Sequence, residues 1–281
     1  MCQFTSFLYI LIASFGLCQS NAQTVINYDA SSGYHLTVDA LNYEVKGVAG
    51  EENLEILKDF GGNTIRTWSI NKKTLDQAHK LGLKVVAGIW IQHMRHNDTY
   101  DYSDPKFIRK QRKKVESIVK KYKDHPALLA WGLGNEVELH VPEAMLETIW
   151  TEMNTLAKMV KSIDRNHPVM TAVAGFDAQK INDVKRFYPE CDILGVNAYG
   201  FAPEVGELLL QYGWENPYMI TEFGPMGPWE VDDKSEWGVA NEESSHEKAK
   251  RYLLAYNTAV NESPRYCLGV FPFYWSSKQE T

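Results

Sequence analysis

Short apolar runs recur along the chain at a regular interval, each followed by a longer stretch whose apolar residues return at helical spacing. The runs Tyr43–Val48, Asn63–Trp68, Lys84–Ile89, Leu128–Leu133, Val169–Val173, Ile193–Ala198, Tyr218–Thr221 and Leu268–Tyr274 predict eight strands. Most are nearly continuous in apolar character, the pattern of strands covered on both faces. The stretches near 51–60, 71–81, 105–123, 142–163, 177–187, 202–212 and 241–262 predict helices. In the third of these, Ile108, Val115, Ile118, Val119 and Tyr122 form one apolar stripe. Strands alternating with helices imply parallel pairing through right-handed crossovers. Eight such units predict an α/β fold, a (β/α)8 TIM barrel. A doubly wound open sheet is the competing layout, and it is disfavoured because no strand leads into a GxGxxG turn or a P-loop. The eighth strand ends close to Thr281, so the barrel is expected to lack its eighth helix and the chain to be cut short at its C-terminus.

The first residues stand outside this rhythm. Phe7–Leu17 is an apolar run of signal-peptide length, shorter than the ~20 residues that span a bilayer. Ser20-Asn21-Ala22 supplies the small residues of a cleavage site, although the usual positive n-region is absent. A leader over residues 1–22 is therefore expected, with a single mature domain over 23–281, secreted or periplasmic, and no membrane segment in the mature form. Cys2 and Cys18 leave with the leader, so Cys191 and Cys267 are too few for a disulfide scaffold or a Cys-rich zinc site.

Composition narrows the partner. Against 36 Asp and Glu stand 29 Lys and Arg, a net charge of −7 that argues against a nucleic-acid partner. Nine Lys and Arg between Lys106 and Lys123 lie opposite the apolar stripe and read as a solvated helix face. Eight Trp and 15 Tyr suit flat, hydroxyl-rich ligands as well as a core.

In a parallel barrel the active site lies at the C-terminal ends of the strands. There the sequence places Arg66 and Trp68, then Trp90 and His93, then Asn135-Glu136, Asn197 and Tyr199, Glu222, and finally Trp275. Glu136 and Glu222 each follow an apolar run, where an unpaired acid is costly. His93 and His96 at i, i+3 without an acidic motif read as a loop pair, with His93 still a candidate to bond a substrate hydroxyl. Trp90 is a candidate lining residue. Asp98, Asp101 and Asp104 lack the glycine and closing glutamate of a calcium loop. No metal and no cofactor are expected.

Trp131-Gly-Leu-Gly-Asn135-Glu136 resembles the Asn-Glu that ends strand four in glycoside hydrolase clan A, and Ile220-Thr-Glu222-Phe-Gly resembles the nucleophile segment ending strand seven. Asn63-Thr-Ile-Arg66, Asn197-Ala-Tyr199 and Trp275 extend the match, which covers about residues 43–275 and is nearest in style to the family 2 barrel domain, with family 5 close by. The resemblance implies a retaining β-glycosidase on β-linked glucan, mannan or a related saccharide. Glu136 would be the general acid and base and Glu222 the nucleophile, about 5–5.5 Å apart. Arg66 would hold the nucleophile ionised, Asn135 would bond the sugar 2-hydroxyl, Tyr199 would bond Glu222, and Trp275 would form a sugar platform. A transglycosylase on the same residues and a non-catalytic carbohydrate-binding barrel are the alternatives.

Overall fold

The structure, a computed structural model, describes residues 22–93, 101–262 and 265–276. The predicted leader up to Asn21, the residues His96 and Asp98, and the stretch beyond Ser276, where the question of an eighth helix arises, lie outside the described residues.

Three short strands come first: β1 (Thr24–Asp29), β2 (Gly33–Val38) and β3 (Leu41–Tyr43) form an antiparallel meander. Then follow β4 (Gly47–Ala49), α1 (Leu54–Asp59), β5 (Thr64–Arg66), α2 (Lys72–Lys80), β6 (Lys84–Ile89), α3 (Pro105–Tyr122), β7 (Leu128–Asn135) and α4 (Glu143–Ile163). The alternation continues through β8 (Val169–Ala174), α5 (Ala178–Phe187), β9 (Ile193–Asn197), α6 (Val205–Gln211), β10 (Tyr218–Phe223), α7 (Ser245–Tyr256) and β11 (Cys267–Pro272). Strands β4 to β11 pair in chain order, all parallel. A bridge between Ala49 and Phe273 and a 2.8 Å bond from the Trp275 N–H to the Ala49 carbonyl join the last strand to the first. The predicted barrel is present.

The meander was not foreseen, and it corrects the first strand. The run Tyr43–Val48 divides: Tyr43 ends β3 in the antiparallel sheet, and only Gly47–Ala49 joins the barrel. The physical cause is the two-residue turn at Asp39 and Ala40, at φ +51° and +65°, which folds β3 back on β2. The hairpin before it turns at Asp29, whose carboxylate accepts from the Ser31 and Ser32 N–H groups at 2.8 and 3.0 Å. Gly33 completes it at φ +87°, and a Cβ there would sit 2.1 Å from the Arg265 carbonyl. Leu36 and Val38 of β2 then point at Val45, Ala49, Val86, Leu129 and Phe271, sealing the N-terminal end of the barrel. Two helix limits also shift. The stretch 202–212 opens with a 3-10 turn at Ala202–Glu204, and 241–262 begins only at Ser245 and ends in a π-helical turn at Asn257–Glu262.

Polar caps start the helices where the sequence supplies them. Asn71, Asp104 and Asp177 accept from backbone N–H groups of α2, α3 and α5, and Ser244 and Glu247 form a capping box on α7. Helix α3 buries Gln111, Val115, Val119 and Tyr122 against the barrel, with Arg112 paired to Glu152 of α4.

One buried polar knot locks β7 from outside. The Trp131 indole donates to Asp164 at 2.8 Å, and Asp164 also accepts from His167 Nδ1 and the Asn166 N–H, both at 2.9 Å. Burial alone would raise the Asp164 pKa, but the bonds from His167, Asn166 and Trp131 outweigh it and hold the group below its ordinary value of 3.8. A depressed carboxylate stabilises the fold above its unfolded pKa and loses that contribution as pH falls through the folded value. Asp164→Asn is therefore expected to cost about 1–3 kcal/mol at neutral pH. Urea unfolding of both proteins checks this, and their difference should shrink towards pH 3.

Candidate active site

The ends of four strands, β5, β7, β9 and β10, bring the site together. Glu136 stands just past β7 in a turn that takes Gly134 to φ +75° and Glu136 itself to φ +51°. A non-glycine residue in this left-handed region carries about 1–2 kcal/mol of strain. The 2.7 Å bond from the Glu136 N–H to the Ala172 carbonyl holds it there. Glu222 lies inside β10, where the pairing with β9 shifts register so that Glu222 stands opposite Asn197. Both glutamates are buried.

Three donors hold the Glu222 carboxylate. Arg66 Nη1 donates to its Oε1 at 2.7 Å, and the Trp68 indole donates to the same oxygen at 3.0 Å. The Tyr199 hydroxyl donates to Oε2 at 2.8 Å. Burial, and then the charge of Glu222, push the Tyr199 pKa far above its usual value, so this hydroxyl keeps its proton across the working pH range. Arg66 is itself almost fully buried, so the ion pair is shielded from solvent. Its other nitrogen bonds the Asn135 side-chain oxygen, and its guanidinium lies over the Trp68 ring at 4.9 Å.

Glu136 is tied to the same set through Asn197. The Asn197 amide donates to Glu136 Oε1 at 2.9 Å and to Asn135 Oδ1 at 3.2 Å, while Thr221 fixes its orientation by donating to Asn197 Oδ1 at 2.7 Å. An unbroken line of hydrogen bonds thus runs Glu222, Arg66, Asn135, Asn197, Glu136. Because two donors occupy its oxygen, Asn135 has its NH2 group left to donate elsewhere.

The structure gathers Glu136, Glu222, Arg66, Asn135 and Tyr199 into one network, as the strand-end reading placed them. Three further candidates stand at the ends of β6 and β11. Trp90 and the buried His93 pack against each other at the end of β6, ring centroids 5.0 Å apart. Trp275 packs partly buried against the core, its indole N–H without a hydrogen-bond partner among the described residues. Phe273 makes the ring contacts instead, lying 5.9 Å from Trp68 and 5.8 Å from Tyr199.

Trp68 and Asn197, which the strand-end reading placed without a role, and Thr221 complete the network. A signal for two of them existed. Side chains two apart on a strand share a face, so Arg66 implicates Trp68 and Tyr199 implicates Asn197.

Among the described residues no cluster of three His, Cys, Asp or Glu is placed to hold a metal, and no helix is long and apolar enough to cross a membrane. Cys191 and Cys267 are unpaired, and burial pushes their thiols up to about 12 and about 11.

Comparison with known proteins agrees with this geometry. Over 134 residues the chain is 27% identical to mannan endo-1,4-beta-mannosidase F of Aspergillus clavatus, an overlap of 42% of this chain and 30% of that protein. Among solved structures, a beta-glucuronidase of Bacteroides uniformis matches 89% of this chain and 32% of its own at a TM-score of 0.67 and 17% identity. The beta-glucuronidase of Ruminococcus gnavus matches 92% of this chain and 48% of its own, with a TM-score of 0.67 and 16% identity. The chain spans less than half the length of each of these proteins, and at such identities the structural likeness speaks for the fold. Residues 48–227, well over half of the chain, match the family model described as glycosyl hydrolases family 2, TIM barrel domain, so the chain belongs to that family.

Proposed function

We propose that the protein is a secreted, retaining β-glycosidase that cleaves a β-linked saccharide of the mannan or glucan class by double displacement. The observation that carries this is a pair of buried glutamates at the ends of β7 and β10, held by donors of different kinds. Glu222 accepts from a guanidinium, an indole and a phenol, while Glu136 accepts from the Asn197 amide. Two carboxyl groups in different surroundings suit two different proton tasks.

In the first step the Glu136 carboxylic acid passes its proton to the glycosidic oxygen as Glu222 attacks the anomeric carbon. The bond to the leaving sugar breaks, and a glycosyl ester of Glu222 forms. In the second step the Glu136 carboxylate takes a proton from water, the water oxygen attacks the same carbon, and Glu222 leaves as a carboxylate. Two inversions give retention. Arg66, Trp68 and Tyr199 remain on Glu222 throughout, receiving its charge whenever it is released. The spare NH2 of Asn135 is suited to a sugar 2-hydroxyl, a bond that strengthens as positive charge grows at the anomeric carbon. Trp275, Trp90 and His93 are proposed to line more distant sugar positions. The mannosidase relative favours mannan over glucan, and the leader-like run Phe7–Leu17 supports secretion.

A substrate panel of mannan, xylan and β-1,3-, β-1,4- and β-1,6-glucans, followed by proton NMR of the first product on the best substrate, tests the reading. The β-anomer is expected first. The α-anomer first would refute double displacement, and products longer than a defined oligosaccharide substrate would assign the second step to an acceptor sugar instead of water.

A further inference from the structure

The connection from β10 to α7 carries two tryptophans in the open, Trp229 at 71% and Trp237 at 81% exposure. An exposed indole beside an active site offers a flat apolar face to a ligand. The two differ in how they are held. Trp237 sits in the Ser235–Gly238 turn at the outer end of the loop, where Lys234 bridges Ala240. Trp229 is seated. Its indole lies back over Gly227, where a Cβ would come within 2.4 Å of the ring. It meets the Tyr199 ring edge to face, with centroids 5.4 Å apart and planes at 90°.

The turn beneath it is fixed by one carboxylate. Glu230 accepts from the Gly227 N–H at 2.7 Å and from the Gly200 N–H at 3.1 Å, fastening the loop after β10 to the loop after β9. Trp229 therefore stands one ring away from Glu222, through Tyr199, on a support that is already formed.

We infer that Trp229 is the stacking platform for a pyranose ring next to the one attacked, which makes the substrate a chain of at least two sugars lying across the Tyr199–Trp229 edge of the cleft. A β-linked pyranose presents a face of C–H groups edged by hydroxyls, and an indole offers a flat apolar face of matching kind. A glycoside with a single sugar does not reach it. The inference rests on the glycosidase reading above.

The test compares wild type, Trp229→Phe and Trp229→Ala on two probes of whichever series, manno-, cello- or laminari-oligosaccharide, wild type cleaves best. One probe is the 4-nitrophenyl β-monoside and the other the hexasaccharide. For Trp229→Ala the hexasaccharide kcat/KM is expected to fall about tenfold through KM, the monoside to change less than twofold, and Trp229→Phe to recover most of the loss. Equal loss on both probes, or none on either, would overturn the platform. Wild type that cleaves no glycoside would sink the glycosidase reading alone. Calorimetry with mannohexaose, cellohexaose and laminarihexaose then still decides: binding weakened in Trp229→Ala and kept in Trp229→Phe supports the platform, and equal binding, or none of any of the three sugars, in all three proteins refutes it.

Discussion

Glu222→Ala is expected to lower kcat/KM on an activated aryl β-glycoside by at least about 10⁴-fold, the scale seen when a covalent nucleophile is removed. The loss alone would not prove the role, because the substitution also strips a buried cation of its partner. Arg66 keeps its bonds to the Thr221 carbonyl and Asn135 but loses its counter-charge, and breaking such a buried pair costs about 3–5 kcal/mol. Azide separates the two effects. The small anion fits the space left by the carboxylate and attacks the anomeric carbon from the same side, so activity should return with an α-glycosyl azide as product. Glu222→Gln keeps acceptors for Arg66 and Trp68, and should be folded and inactive without rescue. A Glu222→Ala protein that retains full activity, or that is folded and gives no azide adduct, would remove Glu222 from the nucleophile role.

Glu136→Ala is the second large effect, and it should depend on the leaving group. General acid–base assistance contributes about 10²–10⁴-fold. A poor leaving group such as a sugar needs the proton, so hydrolysis of the oligosaccharide should fall by that whole range. A dinitrophenolate needs none, so its glycosyl ester should form at near wild-type rate and then wait, because no base remains to activate water. A burst of dinitrophenol followed by slow turnover is the expected trace. Azide, which needs no base, should accelerate the slow phase and yield the β-glycosyl azide. The opposite stereochemistry from the Glu222 variant makes the pair of experiments a single assignment. Equal losses on both substrates would instead mean that Glu136 only supports the turn it occupies.

The barrel was legible because its strands are covered on both faces and so read as unbroken apolar runs, such as Val169–Val173 and Ile193–Ala198. Glu136 and Glu222 were legible for the same reason, each being an acid placed where such a run ends. The meander was not, because β1 and β2 are short and half polar, and because β3 and β4 are parted by only three residues that resemble a continuous strand. Partners across the barrel were the other gap. Trp68 and Glu222 lie 154 residues apart, and no local pattern announces a bond at that separation. Only the face-sharing rule within one strand narrows the candidates.

The meander beneath the barrel also sets the order in which the molecule can be finished. Strands β1 to β3 leave the ribosome before the barrel strands, yet their anchors emerge far later: Thr24 bonds the Asn166 carbonyl, and Tyr34 bonds the Arg265 carbonyl. Until then they are a small isolated sheet, which is marginal in water. Leu36 finds Leu268 and Phe271 only when β11 has been made. Sealing the floor and closing the ring are therefore expected to be one late event of high contact order, and the seam to be the slow step of folding. The same seam is where the native ring should first come apart, so a protease acting on partly opened molecules should cut near Asp39-Ala40 before it reaches the strands that hold the glutamates.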